Sequence, residues 1–285
     1  ILTMTKQLQA QYADEFDFPL VKGRQNFACL NDNLESTCDM GTCKTTPTSS
    51  NFFCPYGVAK NPTLDAELAF EDSYGGTVFY QSGQHCHYWN QKANAVNSPI
   101  TLMNYDYGIL ELNYVKHFGT RSLLILDEAH NIENKLMKTM EVNLFNYRLE
   151  KDINKVISKE TLKDGELKDW IMEIAAITES YEDIDIKDIS KNKADRVRST
   201  IGRLKSLKNN LEKEPKNWVI DADDTGVTFK PLKVHHYAAN NLLKYGDVVI
   251  FMSATILSHK MFSKWLGLNP NEVYHIKVDS PFSKE

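Results

Sequence analysis

Four short apolar runs stand out from an otherwise polar chain. They cover residues 1–4, 100–103, 123–126 and 248–252 and are rich in Ile, Val and Leu. Such runs are too short for free-standing helices and are typical of strands buried in a parallel sheet. Polar or helix-forming sequence follows each run, as expected where functional loops lie at the carboxyl ends of the strands. The pattern predicts an α/β fold built on an open parallel sheet.

Two long stretches separate the predicted strands. Residues 23–97 are rich in Cys, Asn, Ser, Thr and Gly, and they predict a loop-rich module held by a metal. Residues 136–232 carry a helical pattern, because apolar side chains recur there at three-, four- and seven-residue steps. Residues 152–176 are also helix-like, and residues 218–232 predict a hairpin that turns at 224–226. The apolar residues with helical spacing are Val197, Ile201, Leu204 and Leu211.

Charge is unevenly distributed in the second stretch. The whole chain has a net charge of -5, which argues against general attraction to nucleic acid but allows a local basic face. Residues 150–185 carry five basic and eleven acidic side chains, whereas residues 187–216 carry ten basic and four acidic ones. Two interpretations stay open: two solvated helices that pair by charge, or a basic surface that faces nucleic acid.

Composition also bears on the cellular compartment. No apolar run reaches the roughly 18 residues that a membrane span needs, and the first residues lack the features of a signal peptide. We therefore expect a soluble intracellular protein without a membrane partner. In a reducing compartment, clustered cysteines favour metal or cluster ligation over disulfides. The sequence has no initiating Met and begins inside an apolar run, so a longer natural chain is expected.

The sequence SLLILDEAHNIE, residues 122–133, carries the strongest chemical signal. It places Asp127 and Glu128 where a strand ends, at the sheet edge where nucleotides bind. Phosphoryl transfer needs Mg²⁺ near the phosphates and a group that orients the attacking water. Asp127 suits the metal and Glu128 suits the water. A helix cap with first-turn charge is the alternative, which the complete Asp-Glu-Ala-His sequence disfavours.

A second signal is VVIFMSATI, residues 248–256, where a strand runs into small hydroxyl residues. Ser253 and Thr255 are placed to bond to His130 and to relay the state of the nucleotide. A plain strand end followed by a helix cap is the alternative. Because Ser-Ala-Thr follows Asp-Glu-Ala-His in this order, we favour the relay.

Together these motifs resemble those of superfamily 2 helicases, and the five cysteines resemble the iron–sulfur branch, the DEAD_2-type enzymes that include XPD- and DinG-like helicases. ILTMTKQLQAQY resembles motif Ia, VKGRQNFAC resembles the segment that opens the cluster domain, and CHYWNQKANAVNSPITLMNYDYGILELNY resembles the return into the sheet. SPF at residues 280–282 resembles the exit towards a second motor domain. The resemblance covers nearly the whole chain, although residues 136–232 match by position alone.

The resemblance implies three domains and an activity. Residues 1–22, 98–135 and 233–285 would form part of a RecA-like motor domain, residues 23–97 a 4Fe–4S cluster domain, and residues 136–232 a mainly helical arch domain. The implied function is an ATP-dependent 5′–3′ helicase that uses Mg²⁺, translocates on single-stranded DNA and unwinds forked duplexes. Protein partners are not indicated.

The resemblance also assigns DNA contacts. Thr3 and Thr5 of motif Ia would touch the single-stranded backbone. Tyr88 and Lys92 would line the entry of the strand, where aromatic and cationic side chains suit sequence-tolerant binding. Lys92 stands where the family often has Arg, which puts bidentate phosphate contact in doubt. Packing is the alternative role of Tyr88 and Trp89, and Tyr105 and Tyr107, which follow a strand, are expected in the core.

The five cysteines exceed the four thiolates that a 4Fe–4S cluster uses. By resemblance Cys29 is the first ligand and Cys86 the last, Cys43 and Cys54 form the middle pair, and Cys38 is spare. A set with Cys38 and Cys43, leaving Cys54 spare, is the alternative. Zinc held by thiolates with His85 or His87 is the chemical rival, although paired C-x₂-C knuckles are absent from the sequence.

Two family features are missing from the sequence. No Gly-Lys dipeptide occurs, so the phosphate-binding loop would lie upstream of Ile1, and a second motor domain would follow Glu285. We expect residues 1–285 alone to hydrolyse ATP poorly. The alternative function is a homologue that binds single-stranded nucleic acid or a partner protein without hydrolysis and keeps a structural metal cluster.

Overall fold

The computed structural model describes residues 1–61, 66–256 and 258–279. The strands, in chain order, are β1 Leu2–Thr3, β2 Leu20–Val21, β3 Val58–Ala59, β4 Leu68–Glu71, β5 Thr77–Tyr80, β6 Leu102–Asn104, β7 Arg121–Leu126, β8 Val142–Phe145, β9 Trp218–Asp223, β10 Gly226–Pro231 and β11 Gly246–Phe251. The α-helices are α1 Lys6–Phe16, α2 Thr42–Thr45, α3 His87–Asn97, α4 Tyr105–Leu110, α5 Ile132–Met140, α6 Asn146–Ile153, α7 Lys159–Asp164, α8 Leu167–Glu182, α9 Lys191–Lys213, α10 His235–Asn241 and α11 His259–Leu266.

A five-stranded parallel sheet organises the fold. Its order is β11–β7–β1–β6–β2, so the predicted α/β architecture and the four predicted strands are confirmed. The two-residue strand β2 was not predicted, because two residues carry no periodic signal. Leu126 is in register with Leu2 of β1 and with Phe251 of β11. The residues that follow β1, β7 and β11 therefore meet at one sheet edge.

One hydrophobic core supports this edge. Alternate side chains of β7 face it, and the helices that follow the sheet strands close over it. Its buried members include Leu2, Tyr105, Leu126, Ala129, Ile132, Leu136, Ala238, Leu242 and Leu266. The turn after β7 is thereby fixed from below by apolar packing.

Residues 142–229 contribute a second hydrophobic core. The predicted hairpin is confirmed as β9 and β10, whose turn is closed by the Asp223 carboxylate accepting from the Thr225 and Gly226 amides. Strand β8 completes an antiparallel sheet of order β8–β10–β9, so this region is less purely helical than predicted. The helix-like residues 152–176 divide among α6, α7 and α8, with a break at Gly165.

Helices α8 and α9 pack by apolar contact. Val197, Leu204 and Leu211 lie on the buried face of α9, as their spacing predicts. Within the described residues one ion pair links the two helices, between Lys205 and Glu182. The two helices therefore pack through apolar side chains, with this ion pair beside them.

The cysteine-rich region holds more regular structure than predicted. Its first part is loop-rich, but β3, β5 and β4 form an antiparallel sheet that packs on α3. Residues 44–52, which we name the docking loop, pair with the segment before α9: the Thr48 amide donates to Ile189 O (3.1 Å), and the Lys191 amide donates to Thr46 O (3.0 Å). This loop ties the cysteine-rich region to α9.

In the part of the chain that the structure describes, no helix has the length and apolar character that crossing a bilayer requires. The SPF motif at residues 280–282 lies outside the described residues.

Candidate nucleotide site and cysteine cavity

Asp127 and Glu128 form a tight turn at the end of β7. Asp127 is buried, and its amide donates to Leu2 O of the neighbouring strand (2.9 Å). Its carboxylate oxygen Oδ1 accepts from the Glu128 amide (2.9 Å). Glu128 has a left-handed backbone with φ of 52°, which costs roughly 1–2 kcal/mol in a residue with a Cβ. Surrounding contacts must therefore hold this conformation.

Two such contacts bracket the turn. The Tyr105 hydroxyl donates to Asp127 O (2.9 Å) from the interior, and the Ala129 amide donates to Met252 O (2.9 Å) at the end of β11. The turn is thus bound to the start of α4, through Tyr105, and to the residue that follows β11. Its carboxylates are presented in one orientation.

His130 connects this turn to the loop after β11. Its Nδ1 lies 2.9 Å from Ser253 Oγ and 3.3 Å from Glu128 Oε2, and its Nε2 lies 2.6 Å from Asn131 Nδ2. Thr255 touches Ser253, whose Oγ accepts from the Thr255 amide (3.1 Å). The structure therefore brings Glu128, His130 and Ser253 together, with Thr255 joined through Ser253.

A cavity of about 460 Å³ opens between this turn and the start of α1. Its lining residues are Met4, Thr5, Gln7, Leu8, Gln11, Glu128, His130 and Asn131. Tyr12 of α1 lies near the same carboxylates, and burial and then the charge of Asp127 raise the pKa of its hydroxyl. The cavity gives the Glu128 and His130 side chains access to solvent.

The motif Ia threonines differ in exposure. Thr3 is buried, and its hydroxyl donates to Thr5 O (3.2 Å). Thr5 is exposed and caps α1 by accepting from the Leu8 amide (3.1 Å). The prediction that Thr3 touches a DNA backbone is wrong for this structure, since its hydroxyl faces the interior.

All five cysteines line one cavity of about 390 Å³. Cys38 Sγ lies 3.9 Å from Cys86 Sγ, and Cys43 adjoins Cys54. The backbone of Gly41 also approaches closely, since a Cβ there would lie 2.5 Å from Cys29 Sγ. Within the described ranges no three Cys, His, Asp or Glu side chains form a group that would hold a single metal ion.

Cationic side chains surround these thiols. Arg24 donates to Cys38 Sγ (3.3 Å), while Lys191 and Arg198 of α9 line the same cavity. The hydrogen bond from Cys38 lowers the pKa of Cys86 and raises that of Cys38 itself. This hydrogen bond therefore favours the thiolate form at Cys86 and the thiol form at Cys38.

The predicted histidine ligands lie elsewhere. His85 stacks on Tyr80, with ring centroids 3.6 Å apart, and its Nε2 lies 3.6 Å from Glu67 Oε2. His87 is exposed at the start of α3. Neither lines the cysteine cavity, so the zinc alternative that uses one of them is not supported.

Lys92 and Tyr88 are interior residues. Lys92 is 1% exposed, and its Nζ donates to Glu111 Oε2 (2.7 Å). Tyr88 is buried beneath Arg24, whose guanidinium lies 4.1 Å from the ring centroid, and its hydroxyl lies 3.2 Å from that of Tyr107. The prediction that Lys92 and Tyr88 line a DNA path is wrong, because both side chains are already bound inside the protein.

Two residues of these sites escaped prediction. Tyr105 was expected only in the core, and its contact with Asp127 joins residues 22 positions apart. Arg24 belongs to the quoted VKGRQNFAC segment, but a basic residue five positions before Cys29 does not reveal that it bonds to Cys38. Both contacts depend on the tertiary fold.

Comparison with known proteins identifies the family. The family model DEAD_2 matches residues 3–149, which is more than half of the chain. The chain belongs to the DEAD_2 family. This membership supports a helicase-type function.

Solved structures and curated proteins add little to the DEAD_2 assignment. A structure titled "XPD_Helicase" is 16% identical with a TM-score of 0.42, over 65% of this chain and 37% of that chain. One titled "Truncated XPD" is 13% identical with a TM-score of 0.43, over 94% of this chain and 84% of that chain. A search of curated proteins finds no match.

Proposed function

We propose that this DEAD_2 protein is part of an ATP-dependent DNA helicase that moves 5′–3′ on single-stranded DNA and opens forked duplexes. The observation that carries the proposal is the contact chain Glu128–His130–Ser253 at the carboxyl edge of the parallel sheet. A carboxylate there, linked through a histidine to the loop after the neighbouring strand, suits an enzyme that must couple hydrolysis to movement.

Each residue of the turn has a proposed role. Asp127, buried and fixed by its neighbours, would hold Mg²⁺ beside the phosphates of ATP, where the metal supplies charge stabilisation. Glu128, which faces the cavity, would orient the attacking water. His130, Ser253 and Thr255 would report the state of the nucleotide from one strand end to the next.

The cysteine cavity is proposed to hold a 4Fe–4S cluster. The proposal is supported by the lining of the cavity, where the five thiols are grouped with cations that would offset thiolate charge and the Gly41 backbone approaches closely enough to exclude a side chain. Cys29, Cys43, Cys54 and Cys86 are the proposed ligands, with Cys38 as the alternative. The cluster would supply rigidity to this loop-rich region.

The remaining proposed contact with single-stranded DNA is Thr5. It is exposed at the start of α1, where it lines the cavity and its hydroxyl caps the helix. Hydroxyls and amides of this kind bind phosphate without reading sequence.

A conservative substitution tests the ATPase assignment. Glu128→Gln keeps the size of the side chain but removes its charge, so DNA-stimulated ATP hydrolysis by the complete natural protein should fall by at least about 100-fold. Binding of a single-stranded oligonucleotide, measured by fluorescence anisotropy, should persist. Glu133→Gln is the matched control, since Glu133 lies one turn further along and does not line the cavity.

Two outcomes would contradict the proposal. Undiminished hydrolysis by Glu128→Gln would remove Glu128 from the reaction. A complete wild-type protein that binds the oligonucleotide but never hydrolyses ATP would favour the non-hydrolysing binding homologue.

A further inference from the structure

Tyr105 occupies an unusual position for a residue expected only to fill the core. It begins α4 directly after β6 and is 1% exposed. Its ring belongs to the core beneath the sheet, but its hydroxyl donates to Asp127 O at 2.9 Å. The bond therefore ends on the main chain of the turn that presents Glu128.

The atom that accepts this bond matters for the geometry. The Asp127 carbonyl belongs to the peptide unit that joins Asp127 to Glu128. Rotation of that peptide unit changes ψ of Asp127 and φ of Glu128 together, as in the interconversion of turn types. Because Glu128 has a left-handed φ of 52°, such a rotation relieves strain. The Tyr105 hydroxyl opposes the rotation, since its bond would be lost inside the protein.

The rotation would also move the side chain that the proposed reaction needs. Glu128 Oε2 lies 3.3 Å from His130 Nδ1 and faces the cavity beside α1. A change in φ at Glu128 swings its Cβ, and the carboxylate then leaves this position. Catalytic groups displaced by about 1 Å lose roughly 100-fold in rate.

We propose that Tyr105 is a positioning residue: its hydroxyl fixes the 127–128 peptide and, through it, the direction of the Glu128 carboxylate. The inference rests on the proposed role of Glu128 in ATP hydrolysis. Tyr105 acts on the main chain from inside the protein, since its side chain is buried and bonds to Asp127 O.

The ionisation of Tyr105 agrees with this role. Burial, and then the charges of Asp127 and Glu128, raise the pKa of its hydroxyl well above the ordinary tyrosine value. The hydroxyl therefore stays a donor throughout the pH range in which proteins work.

Tyr105→Phe removes one oxygen and leaves the buried ring. In the complete protein we expect kcat for ATP hydrolysis to fall about tenfold, the worth of one buried hydrogen bond, with KM for ATP unchanged. Tyr107→Phe is the matched control, because it removes a tyrosine hydroxyl from the same helix that bonds to Tyr88 instead. Hydrogen exchange of the amides at 127–131 should accelerate in Tyr105→Phe and not in Tyr107→Phe.

A double-mutant cycle with Glu128→Gln separates a positioning role from general loss of stability. If Tyr105 acts through Glu128, adding Tyr105→Phe to Glu128→Gln should lower the residual rate by no more than about twofold. A full tenfold further loss would overturn the inference, as would equal kcat values for Tyr105→Phe and Tyr107→Phe. Undiminished hydrolysis by Glu128→Gln alone would instead contradict the proposed function.

A second substitution keeps the inference testable if Tyr105→Phe does not fold. Fluorotyrosine at position 105 retains the hydroxyl and makes it a stronger donor. Amide exchange at 127–131 should then be equal to or slower than in the wild type, and faster exchange would overturn the inference.

Discussion

At the residue scale, a lysine and a glutamate share a site that water does not reach. Lys92 and Glu111 are each 1% exposed, and Nζ lies 2.7 Å from Oε2. His117 completes the site, because its amide and its Nδ1 lie 3.1 and 3.2 Å from the second carboxylate oxygen. The pair joins α3, which follows the cysteine cavity, to the turn after α4. Its two charges depend on each other.

Removing one partner should therefore be costly. Glu111→Gln leaves the Lys92 ammonium buried without a counter-charge, and we expect the free energy of unfolding at pH 7 to fall by about 3–5 kcal/mol. The double substitution Lys92→Met with Glu111→Leu should recover most of the loss, since apolar residues pack in the same space. Urea denaturation measures both. Asp221→Asn, which breaks the exposed pair with Lys230, is the control and should cost less than about 1 kcal/mol.

The pH dependence of this pair has a definite sign. Burial alone would raise the pKa of Glu111, but the His117 hydrogen bond and the adjacent Lys92 outweigh it, so the pKa lies below the ordinary value of 4.5. The stabilisation is full above that value and is lost as the pH falls through the lower folded value. The difference in the free energy of unfolding between the wild type and Glu111→Gln should therefore become smaller in acid. A difference under about 1 kcal/mol at pH 7 would contradict the pairing.

Lys92 also shows what sequence reasoning misses. Asp127 and Glu128 were found because adjacent acids directly follow an apolar run, and the geometry of a parallel sheet then places them. The family resemblance assigns Lys92 to DNA, because it places an aromatic and a basic side chain beside the last predicted cysteine ligand. The partner of Lys92 is Glu111, which lies 19 positions away on another element, and no local sequence pattern predicts that contact. Local sequence motifs therefore predict which sheet edge carries the candidate nucleotide site, whereas contacts between residues distant in sequence are not predicted.

At the element scale, α9 illustrates which forces set helix packing. Leu204 lies at the centre of its buried face with no exposed surface, whereas Lys205 is exposed and pairs with Glu182 across to α8. Apolar burial of a leucine outweighs an exposed ion pair severalfold. The helical period was readable from sequence because it depends on burial. Strand β8 is four residues long and was not predicted from sequence, since it is defined only by its pairing with β10.

The two contributions can be measured separately. Leu204→Ala should lower the free energy of unfolding by about 2–5 kcal/mol, because it removes transfer energy and leaves a cavity. Lys205→Ala should cost less than about 1 kcal/mol, and its effect should vanish in high salt. Chemical denaturation at low and high salt checks both. Equal losses of unfolding free energy in the two variants would instead indicate that charge pairing stabilises the helix contact as much as apolar packing does.

At the scale of the whole molecule, the cysteine cavity and α9 form one unit. The docking loop, residues 44–52, connects Cys43 to Cys54 and pairs with the segment before α9. Asn192 of α9 donates to Asp39 O (2.6 Å), and Lys44 bonds to Asp195 (2.8 Å). Lys191 and Arg198 line the cavity itself. A metal cluster that fixes the cysteine side chains would therefore also stabilise the contacts at the start of α9.

Metal content and docking should accordingly be coupled. Anaerobically purified protein should contain about four irons with matching sulfide. Cys38→Ser should retain the iron, whereas Ser at any of the four proposed ligand positions should lose it. Removing iron with a chelator should accelerate exchange of the Thr48 and Lys191 amides but leave the amides of the β9–β10 hairpin unchanged. Zinc in place of iron would contradict the assignment of an iron–sulfur cluster. Unchanged amide exchange after iron removal would contradict the coupling.

We expect the reverse effect as well, because the bonds that hold the docking loop against α9 also restrain the segment that carries the cysteines. Asn192→Ala deletes the bond to Asp39 O and so weakens docking without touching a thiol. Iron release to a chelator should become faster in this variant, as should exchange of the Lys191 amide. Asn209→Ala, an exposed substitution further along α9, is the matched control and should release iron at the wild-type rate. If Asn192→Ala accelerates amide exchange but not iron release, the docking loop and the cysteine cavity are independent.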